Sequence, residues 1–383
     1  MVWRPRRARP EARARAPARR RAALASLLAA AGLATAVAQD GGPVALERVP
    51  TSDVGVLFTV RVDIGGERGR WIVDTGAGRH LVTPALARRL GLRERGRVGA
   101  DTAFGTVHGP EVELPTLRVG DRPIEGQRAL VADVAALAGP AAVDVDGVLG
   151  TPVLLDTALE LDLAGATLRT HADVAPGCAA PLVALPLELR RGLPVVALRV
   201  DGRAELALID TGYAGALARF DGDRPAARAD EVALGPMVRR DVPVTPLRAP
   251  ALQRALAGDA DRGDVTALAG GALLDGATLW LRPGAGELCI APDERTLPGG
   301  FGLGLNVDAE GLFVDAVSDA SPAALAGLRE GDRVRRWNGA APTTVADAWA
   351  AVHGTDTMTL VVERHGRAIA RVLRRTQYLP PLP

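Results

Sequence analysis

Apolar and polar positions alternate along much of the chain. Val60, Val62 and Ile64 fall on one face of a stretch, and Val196, Leu198 and Val200 on one face of another. This is the period-two pattern of a half-buried β-strand. The runs are short, and 44 glycines and 28 prolines punctuate them, as in closed or sandwiched β structure. The expected fold class is therefore mainly β. Helical pattern is brief; residues 84–92 are the clearest case, with Pro84 at the start and Gly91 near the end, the usual asymmetry of helix termini. Aromatic residues make up only 3% of the chain, so its cores must be packed largely with Leu, Val and Ala.

The pattern repeats. Residues 56–78, VLFTVRVDIGGERGRWIVDTGAG, and residues 193–215, LPVVALRVDGRAELALIDTGYAG, each contain a strand, a Val-Asp turn with glycine, a second strand and Asp-Thr-Gly. Residues 112–131 answer 230–247 as strand, glycine turn and strand. Residues 146–163 answer 266–281, each an apolar run meeting Gly, then a short helical stretch and a further strand. Three features recurring in one order imply two copies of one β-rich lobe, here residues 52–175 and 176–297.

The Asp-Thr-Gly turns carry the candidate chemistry. Trp71-Ile72-Val73 and Leu206-Ala207-Leu208-Ile209 drive Asp74 and Asp210 inward, where an unpaired charge is costly. Thr75 and Thr211 can hydrogen-bond neighbouring backbone or each other. Gly76 and Gly212 let backbone approach closely and offer N–H groups to a carboxylate. If the copies pack by a pseudo-twofold, the two aspartates converge, and two carboxylates in one site hold a proton between them. One then acts as general base on water and the other as general acid, which is what amide hydrolysis needs.

Asp74-Thr75-Gly76-Ala77 and Asp210-Thr211-Gly212-Tyr213, with Gly147-Val148-Leu149-Gly150 and Ala267-Leu268-Ala269-Gly270 downstream, resemble the retropepsin and pepsin-like aspartic proteases. The resemblance covers residues 52–297. It implies a bilobal β-barrel fold, Asp74 and Asp210 as a catalytic dyad, and Thr75, Gly76, Thr211 and Gly212 as its support. It also implies a β-hairpin flap, placed best at residues 102–109 with Phe104, Gly105 and Thr106, and no counterpart in the second lobe. Two lobes on one chain would make the active unit a monomer acting on a protein or peptide substrate, with no cofactor and no metal. Tyr213 departs from the small residue the family commonly places there, and a phenol could reshape the cleft or donate a hydrogen bond. The alternative is a decayed protease body that binds or scaffolds peptides without cleaving them.

Beyond the Pro-Gly-Gly turn at residues 298–300 the pattern changes. Phe301-Gly302-Leu303-Gly304, Ser321-Pro322-Ala323, Ala326-Gly327-Leu328, Gly331-Asp332 and Asn338-Gly339, a helix at 345–352 and strands at 358–363 and 368–373 resemble a bacterial-type PDZ domain spanning residues 298–376. Such domains bind extended peptide at a sheet edge. The resemblance places a C-terminal carboxylate near Gly302–Gly304 and a side-chain pocket beside Trp349. The alternative is a domain that packs on the protease body and binds nothing. Residues 377–383 read as a disordered tail.

Charge and composition remove other classes. Acidic and basic residues nearly balance, 45 against 46, yet nine arginines and one glutamate precede residue 39. The remaining body is mildly acidic and offers no footprint for nucleic acid. The basic run at 4–21, the apolar stretch 22–38 and its closing Ala36-Val37-Ala38 describe a secretory signal peptide over residues 1–38, the alternative being an uncleaved anchor. Residues 39–51 read as a linker. No stable membrane span follows, and a periplasmic or extracellular location is expected. Export permits a Cys178–Cys289 disulfide, worth ~4–5 kcal/mol by chain entropy; two buried thiols are the alternative. The chain holds no lysine, and its four serines lie outside any G-x-S-x-G elbow, so P-loop, Schiff-base and α/β-hydrolase chemistries lack their residues. His80, His108, His171, His353 and His365 show no ligand spacing. Asp144 and Asp146 read as turn residues rather than a calcium loop.

Overall fold

The computed structural model describes residues 42–103, 105–139, 141, 144–171, 177–222, 226–257 and 263–377. Residues 1–38, read above as a signal peptide, Phe104, and the expected tail beyond Gln377 lie outside the described residues. Strands dominate the chain, as the alternation predicts.

Each copy of the repeat folds into a ring of strands. In the first, Val56–Ile64 pairs antiparallel with Glu67–Val73, which runs parallel to Gly147–Leu149. Gly147–Leu149 lies antiparallel to His80–Val82, which runs parallel to Arg128–Val131. Arg128–Val131 pairs onward with Gly105–Glu113, while Leu117–Val119, paired with Arg122–Ile124, lies antiparallel to Val56–Ile64. Among the described residues this ring therefore stays open between Arg128–Val131 and Arg122–Ile124. In the second, Leu193–Val200, Arg203–Asp210, Val265–Gly270, Leu217–Arg219, Met237–Pro246 and Ala227–Leu234 pair in that order, and the last pairs back on the first. The second ring is thus a closed six-stranded barrel. Closure leaves no sheet edge exposed, which suits strands this short.

A six-stranded antiparallel sheet joins the rings. Its order is Val44–Pro50, Thr167–His171, Ala158–Asp162, Thr278–Arg282, Glu287–Ile290 and Val183–Arg190. The central pair takes one strand from each repeat, with Leu161 opposite Leu279. The outer strands continue into the rings, Val44–Pro50 onto Val56–Ile64 and Val183–Arg190 onto Leu193–Val200. Residues 39–51 are therefore not merely a linker, because the alternating Val44, Leu46 and Val49 make part of the segment a strand. A disulfide joins Cys178 to Cys289 beside this sheet. One apolar cluster runs through both rings and the sheet, from Phe58 and Trp71 to Leu217, Leu279 and Leu288. Each fully buried Val, Leu or Ile in it contributes roughly 1.5–3 kcal/mol relative to exposure.

The first ring carries an insertion, the helix Pro84–Arg89 and the hairpin of Glu94–Thr102 with Gly105–Glu113. Thr83 caps that helix by accepting from Leu86 N–H at 3.2 Å. Among the described residues, the second ring has no such hairpin between Leu217–Arg219 and Ala227–Leu234. The C-terminal unit has its own sheet, Leu303–Asp308, Gly311–Val317, Arg333–Trp337, Thr357–Arg364 and Arg367–Arg374 in sequence order, and its own core. Trp349 does not line a pocket there. Its spacing from Val345 and Ala348 turns it inward with them, and its ring meets Trp337 edge-on at 5.2 Å. Among the described residues no helix is long and apolar enough to cross a membrane.

Candidate active site

Asp74 and Asp210 stand where a barrel strand ends beside its parallel neighbour. Asp74 N–H donates to Leu149 O at 3.0 Å, and Asp210 is the last residue of its strand, paired with Gly270. Both apolar-Gly segments singled out in the sequence therefore lie directly against the two Asp-Thr-Gly turns. Gly150 and Gly270 pass so close to backbone carbonyls of those turns that neither could carry a side chain.

The threonines lock the turns together. Thr75 N–H donates to Thr211 Oγ1 and Thr211 N–H to Thr75 Oγ1, both at 3.1 Å. Thr75 Oγ1 donates to Ile209 O at 2.7 Å and Thr211 Oγ1 to Val73 O at 2.6 Å. Both side chains are fully buried. Each hydroxyl thus accepts from the opposite turn and donates to the strand that leads into that same turn.

This lock brings the carboxyls side by side. The Asp74 carboxylate accepts from Gly76 N–H at 2.8 Å, and that of Asp210 from Gly212 and Tyr213 N–H at 2.9 and 3.0 Å. Gly76 abuts the Asp210 carboxyl and Gly212 the Asp74 carboxyl, each with no room for a Cβ. Burial raises the Asp74 carboxyl well above the ordinary range, and the neighbouring Asp210 charge raises it further. Burial likewise pushes Asp210 up to about 6, against the lowering effect of its two amide donors. A pair so placed keeps one proton in common, with one member a base and the other an acid.

A cleft opens over the pair. Ile72, Leu81, Val134, Leu137 and Val148 form an apolar wall from the first ring, and Leu252 and Tyr213 face it from the second. The helices bearing Leu137 and Leu252, Val134–Ala138 and Pro250–Leu256, occupy equivalent places in the two rings. The inserted hairpin covers the cleft through Ala100, Asp101, Thr102 and Ala103, and Ala103 packs on the cluster that holds Leu252. Gly105 and Thr106 do not line the cleft. Gly105 pairs with Thr102 at the hairpin end, and Thr106 Oγ1 turns away to donate to Asp101 Oδ1 at 2.7 Å. Among the described residues of the hairpin, Ala100 to Ala103 line the cleft, and Val107 on the returning strand packs on the apolar cluster of Ile72, Leu81 and Val148. The Tyr213 ring folds back against Gly215 and Gly270, and burial, with the nearby Asp210 charge, raises its phenol pKa.

His80 carries a role that its lone position in the sequence did not reveal. It is fully buried; Nδ1 accepts from Gly150 N–H at 3.0 Å, and Nε2–H donates to Gln127 Oε1 at 3.1 Å. Burial lowers its pKa to about 4 and keeps it neutral. The second ring satisfies the matching glycine with backbone, Gly270 N–H donating to Ala216 O at 2.8 Å. Asp146 is not in a turn: it leads directly into Gly147–Leu149, its N–H donating to Arg70 O at 2.8 Å and its O accepting from Thr83 N–H at 2.9 Å. Its carboxylate accepts from Arg70 N–H at 3.1 Å and from Arg89 at 2.7 Å. In the C-terminal unit Phe301 and Leu303 are buried and Gly304 lies at a bulge opposite Ala316. Gly302 lies against the body of the protein through Asp53, a residue that nothing in the local pattern marks.

Residues 60–153 match a family model described as aspartyl protease. The match spans the first Asp-Thr-Gly turn, the hairpin and the first apolar-Gly segment, so this part of the chain is an aspartic-protease-like region. No curated protein matches the chain.

Proposed function

We propose that the protein is an exported aspartic endopeptidase whose water nucleophile is activated between Asp74 and Asp210. The observation that carries this reading is the pair of buried carboxyls, one from each repeat, side by side in a cleft and both raised in pKa. The ionised member takes a proton from water as it attacks the peptide carbonyl. The protonated member gives its proton to the carbonyl oxygen. On collapse of the tetrahedral adduct the first carboxyl passes its proton to the leaving nitrogen while the second takes one back from a hydroxyl of the adduct, which leaves a carboxylic acid product and restores the shared proton. The amides of Gly76, Gly212 and Tyr213 hold the carboxyls in place, and the threonine lock fixes their separation. The apolar wall favours a large apolar side chain of an extended substrate, and the hairpin excludes water above it.

Both halves of the dyad come from one chain, which supports a monomeric active unit. The basic-then-apolar leader and the disulfide support an oxidising compartment outside the cytoplasm. The C-terminal unit is read as a PDZ domain that recruits substrate or regulates the protease. Cleavage of an unfolded protein should be blocked by a peptide bearing a secondary alcohol at the scissile position, which mimics the tetrahedral adduct. It should survive chelators and reagents for serine or cysteine. Sensitivity to those reagents, with indifference to the alcohol, would refute the mechanism.

A further inference from the structure

Asp53 lies in the turn that leads into the first ring, and its carboxylate reaches into the C-terminal unit. Oδ2 accepts from Phe301 N–H at 2.9 Å and from Gly302 N–H at 2.7 Å. The two successive amides converge on one oxygen, Gly302 turns the chain away behind them at φ +77°, and such a backbone nest binds an anion. A side chain at position 302 would strike Ser321, so glycine is needed there. The nest opens at the start of Leu303–Asp308, an edge strand of the five-stranded sheet. An extended peptide adding to that edge would bring its terminal carboxylate to the same two amides.

We infer that the Phe301–Gly302 nest is a seat for a peptide C-terminal carboxylate that Asp53 fills in cis, so that a peptide binds only by displacing Asp53. The inference rests on the peptide-binding part of the reading above and is independent of proteolysis. The turn that presents Asp53 is tied. Thr51 N–H donates to Gly55 O at 2.9 Å, Gly55 N–H to Ser52 Oγ at 2.8 Å, and Arg375 Nη1 to Asp53 O at 3.1 Å. A tethered carboxylate of this kind competes at an effective concentration on the order of millimolar or above. The same turn reaches the dyad, since Val56 N–H donates to Ala214 O at 2.9 Å just past the Asp210 turn. What fills the seat is thus linked to the second aspartate through the next three residues. On the neighbouring side Ala346, from the helix Val345–Ala350, packs on a core cluster of the first ring, so a ligand also competes with docking of the unit.

The test uses the full chain without its leader, immobilised as wild type, Asp53→Ala and Asp53→Asn. Each is offered a degenerate heptapeptide pool with free C termini and the same pool amidated, and the retained peptide is counted by mass spectrometry. Asp53→Ala should retain at least tenfold more of the free-carboxylate pool than wild type. Asp53→Asn, whose neutral amide oxygen is a weaker occupant, should fall between them, and none should retain the amides. If Asp53→Ala does not fold, the Asn variant decides alone. Equal retention by wild type and variants would overturn occupation in cis and leave peptide binding standing. No retention by any of them would overturn both, and cleavage activity is read separately.

Discussion

Thr75 and Thr211 exchange hydrogen bonds, each amide donating to the other's hydroxyl at 3.1 Å. They come from separate repeats, so the bond pair ties the two halves of the site together directly. Leaving a buried polar group unsatisfied costs about 1–3 kcal/mol. Thr211→Val keeps the shape but strands Thr75 N–H and Val73 O. It should lower stability by roughly 2–4 kcal/mol in urea unfolding, whereas Thr211→Ser, which restores the hydroxyl, should lose less than about 1 kcal/mol.

The aspartates have the opposite effect on stability. Both carboxyls have raised pKa values in the folded protein, so the native state keeps a proton that the unfolded chain releases near pH 4. The contribution is fully present below that pH; that of Asp210 is lost as pH rises through about 6, its folded value, and that of Asp74, which burial and the Asp210 charge raise further, persists to higher pH. Asp210→Asn should therefore be more stable than wild type at pH 7, by on the order of 2–3 kcal/mol. The difference should vanish near pH 4. Thermal unfolding of both proteins across this range measures it.

The raised values also set the rate profile. Activity requires one proton on the pair, so the acid limb of kcat should fall at about pH 6, where Asp210 ionises, and the alkaline limb at higher pH, where burial and the neighbouring Asp210 charge hold the Asp74 proton. A limb near pH 4, where an exposed carboxyl titrates, would mean that the pair is not buried during turnover.

Gly212 has no space for even a methyl group because the Asp74 carboxyl occupies it. Gly212→Ala should push the carboxyls apart and lower kcat by at least 100-fold, the usual cost of a misplacement of about 1 Å. An unchanged kcat would show that the close approach is unimportant.

Much of this architecture was legible in the sequence because the repeat shows it twice. Alternation marked the strands, and Trp71-Ile72-Val73 and Leu206-Ala207-Leu208-Ile209 pointed the two aspartates inward. The joining sheet was not legible: Ala158–Asp162 and Thr278–Arg282 pair across 116 residues, as with Asp162 and Thr278, and local pattern carries no information about such partners. His80 and Asp53 were hidden for the same reason. Each is an isolated polar residue whose meaning lies in distant backbone, Gly150 for one and Phe301–Gly302 for the other. Trp349 was misplaced because an aromatic near a candidate groove is indistinguishable, in sequence, from one in the core behind it.

Arg239 illustrates a further hidden dependence. It is fully buried in the second barrel and donates to Leu273 O at 3.0 Å, Asp275 O at 3.3 Å and Asp293 Oδ2 at 2.7 Å. Arg239→Met would leave the Asp293 carboxylate without this guanidinium and should destabilise the protein by about 3–5 kcal/mol, read as a lowered urea midpoint. A loss below 1 kcal/mol would mean that water replaces the guanidinium at little cost.

The central claim is that Asp74 and Asp210 act as one unit. Cleavage of an unfolded protein by wild type, Asp74→Asn and Asp210→Asn, from acidic to neutral pH, tests it most directly. The account predicts cleavage by wild type and a loss of at least a thousandfold in each variant, with circular dichroism unchanged. Substantial cleavage by either folded variant, or none by wild type at any pH, would contradict it.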